Sequence, residues 1–524
     1  MPVSDYTLSS RASFAHVLCT TSSAVDAIAG TALPVFDSDH DDVVFTNNTS
    51  DDITYTAAAG TFTFAKAGTY HVVLTLVTSQ ETSDRLQTTT FNLNSASAIY
   101  TAAPFIDFAM DPTETTHQRI ITIAADDVLH IKTTTPGHTM GIVKGTSVVI
   151  TEITSGVFAS STVTTAGSNN TTDAFNPFDT DGDGPAFAAA GLIASGITFA
   201  GAAGSMTVPS AGKYLIMINH MFAAGGSTNS NITMLLKEGS NVLLTNTLRL
   251  HSTVDPTEHT MCVIEDLAAS DVLTVSYDIA SGRCQAELGA TFTVIKLQEG
   301  QPITGTGRGL GGYGSTYACV VSNQAGAAGS SEINPFDEDN LTGDATFATR
   351  ASSGITFAPA VGTFTVGEPG LYFIMHNAIL TAASDVVVTT KILVNGAIVA
   401  SSDTAHIDSL PDPLSLTNTA FVELQGNDVV TVLTDANTAV NLAYQAGSHI
   451  TMFRYFGFFD TFTTLADGLI SDDFTINTFS QGNLSTQYDR NIEQVPFKLG
   501  IRGAPTLRGS STVSSVPKLG DKKN

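Results

Sequence analysis

Three short acidic runs hold the residues best suited to chemistry. They read Asp37-Ser38-Asp39-His40-Asp41-Asp42, Asp179-Thr180-Asp181-Gly182-Asp183-Gly184, and Asp337-Glu338-Asp339-Asn340 with Asp344 beyond. Carboxylates alternating on a turn can converge their oxygens on one hard cation, and glycines free the backbone to wrap it. The middle run matches the first half of an EF-hand loop, but Ala190 stands at the twelfth position, where that loop needs an acid, and no helical pattern flanks it. A true EF-hand is excluded. Two readings stay open: a solvated acidic turn, or a site for Ca2+ or a similar ion on Asp37, Asp39, Asp41, Asp179, Asp181, Asp183, Asp337 and Asp339. No other cofactor is expected.

Other chemistries find less support. Gly309, Gly311 and Gly314 match GxGxxG, yet Tyr317 to Val321 continues as a strand, whereas that fingerprint needs a helix N-terminus for pyrophosphate. His117, His130 and His138 lie in β-patterned segments without HExxH spacing, and no GxSxG elbow occurs; they read as surface or packed histidines. Four cysteines in 524 residues make neither a disulfide framework nor a zinc pattern. Cys262 and Cys284 can pair, but free thiols fit better, since free Cys behaves as a small hydrophobe. A polysaccharide-acting enzyme would need paired inward carboxylates beside aromatic platforms, and Trp is absent. No catalytic residue is assigned.

The elements that must position these residues follow from composition. Charged residues make up only 14%, against roughly 25% in typical soluble proteins, and Thr, Ser, Ala and Gly fill the deficit. The net charge of −27 repels phosphate backbones and anionic lipid, so neither nucleic acid nor membrane is expected as a partner. Thr or Ser alternating with apolar residues suits strands with one wet face, and no window keeps a helical period through three turns. Met1 to Thr20 has Asp5 where a signal peptide wants positive charge, so no export signal is expected there.

The chain repeats itself. Gly60-Thr61-Phe62-Thr63-Phe64 with Gly68-Thr69-Tyr70 returns as Gly204 to Val208 with Gly212-Lys213-Tyr214, and again as Gly362 to Val366 with Gly370-Leu371-Tyr372. Tyr70 to Tyr214 is 144 residues and Tyr214 to Tyr372 is 158. Similar steps relate Asp127-Val128-Leu129 to Asp271-Val272-Leu273 and Asp428-Val429-Val430, and relate Gly145 to Gly289 and Gly447. Three tandem units are expected at 1–154, 155–300 and 308–456. A glycine-rich linker at 301–307 continues into the Gly305 to Gly314 stretch, and a C-terminal tail or arm covers 457–524.

The pattern Gly-x-Phe-x-Val or Phe, then Gly-x-Tyr and an apolar strand, then a later Asp-Val and a Gly-led closing strand, resembles the C1q and tumour-necrosis-factor jelly roll. The resemblance covers most of residues 1–456, although the family's closing Phe-Ser-Gly signature is missing. It implies an all-β fold of three tandem jelly-roll sandwiches that do not carry catalysis. It also implies trimers presenting loops to a partner, here a homo-oligomer or an intrachain pseudo-trimer, sometimes with calcium near the axis.

The tail differs from the body. Leu484 to Asn524 holds seven basic residues against three acids, a charge of +4, which leaves −31 on residues 1–483. It is either a solubilising tail or a docking arm, with Val495, Phe497, Leu499 and Ile501 alternating as an added strand would and Arg502 and Arg508 beside them. Taken together, these features point to a virion structural protein, a capsid decoration, cement or fibre on the virion surface. Its partners would be other virion proteins or copies of itself, and a host glycan is a further candidate. A secreted or cell-surface adhesion or carbohydrate-binding protein, hence extracellular, is the alternative.

Overall fold

Alternating apolar and hydroxyl side chains dictate pleated strands, and the repeated glycines and aspartates dictate where those strands turn. In the computed structural model the described residues are 12–22, 32–38, 43–80, 85–95, 98–106, 113–136, 139–165, 174–179, 192–224, 230–250, 257–281, 284–297, 316–322, 326–327, 332–338, 347–382, 386–402, 406–407, 414–436 and 442–457. The chain is all-β. Among these residues the helical elements are single 3-10 turns at Ala57–Ala59, Gly201–Ala203 and Pro359–Val361, and no helix is long and apolar enough to cross a membrane.

The first sandwich shows the plan. Its inner sheet runs in the order Thr113–Ile123, Gly68–Gln80, Ser147–Glu152, Phe14–Cys19, Phe45–Thr49. Its outer sheet runs Ile53–Thr56, Thr61–Phe64, Val128–Thr134, Thr88–Leu93, Ala98–Ala102. All pairings are antiparallel, and the chain passes between the sheets at most connections, which is jelly-roll winding. Phe62, Phe64, Tyr70, Phe91 and Ile131 fill the space between the sheets. The second and third sandwiches repeat the order, the third around Phe336, Phe364, Tyr372 and Val432.

Each recurring landmark has a mechanical reason. The tyrosines of the Gly-x-Tyr triplets are fully buried and donate their hydroxyls to the carbonyl four residues back: Tyr70 to Lys66 at 3.0 Å, Tyr214 to Ser210 at 2.7 Å, Tyr372 to Glu368 at 2.7 Å. Asp127, Asp271 and Asp428 each accept from the backbone N–H three residues earlier, at 2.6–2.7 Å, closing the turn before a central strand. Gly204, at φ 54°, has no room for a side chain, because a Cβ there would lie 2.5 Å from the Phe178 carbonyl carbon.

Candidate functional site

A sheet edge leaves backbone N–H and C=O groups unpaired, and a sandwich must cover that edge or risk pairing with another chain. Thr113–Ile123, Thr257–Leu267 and Leu414–Leu424 are the edge strands of the three inner sheets. Each edge lies against the inner sheet of another sandwich, first on second, second on third, third on first, so the three close into a ring.

At the first contact the Thr116 N–H donates to Glu258 Oε2 at 2.8 Å, Asn219 Nδ2 donates to the Thr116 carbonyl, and Gln118 Nε2 donates to the Met217 carbonyl at 2.8 Å. The Tyr100 hydroxyl donates to the Gly289 carbonyl at 3.0 Å. At the second, the Cys262 N–H donates to His449 Nε2 at 3.0 Å, and the Cys262 carbonyl accepts from Thr451 Oγ1 at 2.8 Å. At the third, the Thr417 N–H donates to Glu114, and Thr419 Oγ1 sits 3.1 Å from Ser147 Oγ and 3.3 Å from Thr75 Oγ1. Phe421 fits between Phe14 and Tyr455, with ring centroids 5.3 Å from both. The Tyr455 hydroxyl donates to the Ser13 carbonyl at 2.9 Å, tying the end of the third sandwich to the start of the first.

The register shows that these are equivalent places. Gln118, Cys262 and Thr419 pair with Val73, Met217 and Met375, each three residues beyond its landmark tyrosine. A single apolar cluster runs through the whole junction, from Phe14, Val73 and Ile120 to Met217, Ile264, Phe373 and Tyr455. Side chains that would be a wet outer face on an isolated sandwich are interior here.

Among the described residues seven histidines are buried: His16, His71, His117, His220, His259, His376 and His449. Burial lowers all seven, to about 4 for His16, His71 and His449 and to about 3 for His117, His220 and His376. Hydrogen bonds and ring contacts orient several of them. Gln118 accepts from His71 Nε2 at 2.9 Å while its amide reaches across the first contact. His220 Nδ1 meets the Tyr277 hydroxyl at 2.9 Å, and His220 stacks on His259 with centroids 5.8 Å apart. Glu258 is pushed up to about 8, mainly by burial and further by Glu114, against the Thr116 N–H and the Thr260 hydroxyl that favour its charged form. Cys19, Cys262, Cys284 and Cys319 are free, fully buried rather than half-buried, and raised by burial, which makes them poor nucleophiles at neutral pH.

Of the acidic runs, Asp37, Asp179, Asp337 and Glu338 are described; Asp37 and Asp179 lie beside Gly60 and Gly204, which end 3-10 turns, and the Glu338 N–H donates to the Pro359 carbonyl of the third such turn at 3.0 Å. Asn176 Nδ2 donates to the Ala203 and Gly204 carbonyls at 2.9 and 3.1 Å, and Asn334 Nδ2 donates to the Val361 and Gly362 carbonyls, both at 3.1 Å, so that Asp179 and Asp337 begin at matching places. Asp39, Asp41, Asp181, Asp183 and Asp339 lie outside the described residues, as do Val495, Phe497, Leu499, Ile501, Arg502 and Arg508. Among the described residues, no three His, Cys, Asp or Glu side chains converge as a metal site. The repeated Asn-Pro-Phe-Asp at 176–179 and 334–337 was a readable signal of this anchor that the acidic spacing obscured.

No family model and no curated protein matches the chain. Among solved structures it is similar to Eiger TNF from S. frugiperda, at 11% identity and a TM-score of 0.22, over 28% of this chain and 96% of that one. It is also similar to murine APRIL, at 10% identity and a TM-score of 0.20, over 27% of this chain and 100% of that one.

Proposed function

We propose that the chain is a non-enzymatic virion structural protein, a capsid decoration, cement or fibre component of a phage or related virus, whose three jelly rolls form one head docked by the C-terminal arm. The observation that supports this reading is polarity. Each opening strand begins beside the end of its closing strand, Phe14 opposite Thr151, Phe158 opposite Ile295 and Tyr317 opposite Phe453. The chain therefore enters and leaves every sandwich at one end of the ring. Gly457, the last described residue, lies at that end of the third sandwich, so an arm docking from there would leave the opposite end for presentation. Attraction between the basic arm and an acidic surface is screened beyond about 8 Å at physiological salt, so the apolar alternation at Val495 to Ile501 has to hold what charge guides.

The test is particle composition with and without the arm. Full-length chain is expected in purified virions at a fixed copy number, and removal of Gln494 to Asn524 is expected to abolish attachment while the sandwiches stay folded by circular dichroism. A truncated chain that still attaches at full occupancy in low and high salt removes the arm from the reading. A chain confined to the cell surface or medium supports the adhesion alternative instead.

A further inference from the structure

The contact between the second and third sandwiches contains a histidine that holds it only when neutral. His449 Nδ1 lies 2.8 Å from the Gly447 carbonyl and so carries the hydrogen. Its Nε2 must then accept from the Cys262 N–H at 3.0 Å. A proton on Nε2 would set two donors against each other in a site without water access, removing the bond and leaving the Cys262 N–H buried without an acceptor. The surroundings cannot compensate. From Thr257–Leu267, His259 faces it and the Cys262 N–H donates to it; from Gly370–Ala382, His376 faces it, with no hydrogen-bond partner at either ring nitrogen among the described residues; Cys319 of Tyr317–Ser322 lies beside Thr451, two residues along the strand. His220 and Tyr277 lie behind His259. The charged groups of this contact, Glu265 and Arg350, face each other at 4.0 Å. The histidine row is therefore a chain of like groups, each of which repels a proton on the next.

We propose that this contact is an acid-operated latch, in which protonation of His449 releases the second sandwich from the third while each sandwich keeps its own fold. Two thiols report the opening. Cys262 and Cys319 are buried in this contact, and Thr451 Oγ1 touches both the Cys262 carbonyl and Cys319 Sγ. Cys19 is packed in the first sandwich's own core, and Cys284 lies beside Tyr277 in the second's.

The full chain is labelled with 4,4′-dithiodipyridine, which reacts with thiols in acid, from pH 7 to pH 3.5, and the modified cysteines are identified by peptide mass with denatured chain as the rate reference. Labelling of Cys262 and Cys319 is expected to rise by up to about tenfold per pH unit, the limit for uptake of one proton, while Cys19, Cys284 and the far-UV spectrum stay unchanged. In His449→Gln the side-chain amide can still accept from Cys262 and donate to Gly447 but does not titrate, so the rise is expected to flatten. Four thiols reacting together, no rise at all, or a folded His449→Gln chain with the wild-type pH slope each overturns the latch. Should that variant fail to fold, the wild-type labelling pattern alone decides.

Discussion

Replacing Phe421 by alanine tests the ring directly. On an isolated sandwich Phe421 would lie on the outer face of an edge strand, and substitutions at such surface positions usually cost within about 0.5 kcal/mol. In the ring it is 3% exposed and wedged between Phe14, Tyr455 and His16. A buried Phe→Ala change costs about 3–5 kcal/mol, because the lost transfer energy adds to the cavity left behind. The aromatic contact with Phe14 crosses from the third sandwich to the first, and such pairs couple by about 0.5–1.5 kcal/mol. The chain has no Trp, so urea unfolding is followed by tyrosine fluorescence and far-UV circular dichroism, with coincidence of the two probes as the check on two-state behaviour. Phe421→Ala, Phe14→Ala and the double variant form a cycle. A cost below about 1 kcal/mol for Phe421→Ala, or additive single effects, would refute the argument that the three inner sheets share one interior.

Three further outcomes follow from particular positions. Gly289, at φ 99°, faces the first sandwich, where a Cβ would lie 2.5 Å from Ala102 Cβ; Gly289→Ala should cost about 1–3 kcal/mol from overpacking, more than Gly239→Ala, where φ is 57° and the space is open, and equal melting temperatures for the two would count against the close approach. Because Glu258 is raised to about 8, the folded chain keeps a proton that the unfolded chain gives up near the ordinary carboxylate pKa, about 4.3. Its contribution is thus complete below that value and is lost as pH rises through 8, and urea midpoints from pH 5 to 9 should fall less steeply in Glu258→Gln than in wild type. If the acidic runs beginning at Asp37, Asp179 and Asp337 hold a cation, Ca2+ should raise the melting temperature by mass action; identical melting in calcium and in chelator leaves them as solvated turns.

The sandwiches were legible in the sequence because their determinants are local. Period-two threonines, the Gly-x-Tyr triplets and the Asp-Val turns each act within a few residues, and each recurs three times. The junction was not legible, and the reason is physical. Thr113–Ile123 carries Glu114, Thr115, Thr116, His117, Gln118 and Arg119 in succession, a composition that reads as a solvated edge. It is buried because another sandwich supplies partners for its backbone, and nothing in the strand's own composition reports a neighbour some hundred residues away. The histidines escaped for the same reason, since their spacing matches no ligand motif and their surroundings come from three separate segments. A polar pair inside an otherwise apolar run, such as His376-Asn377 within Gly370–Ala382, was the available hint.

Joining the three sandwiches in one chain changes what mutation can do at their junction. In a homotrimer any substitution appears three times at once and must suit every copy of the interface. Here the matching positions differ in the group they offer: the Gln118 side-chain amide reaches a backbone carbonyl, the Cys262 backbone N–H reaches an imidazole, and the Thr419 hydroxyl meets a second hydroxyl. Each seam can therefore be tuned alone, one made weaker or responsive to solution conditions while the other two hold. A covalent tether also keeps the thirds at high mutual concentration however dilute the protein, so a seam that parts can rejoin without finding a new partner.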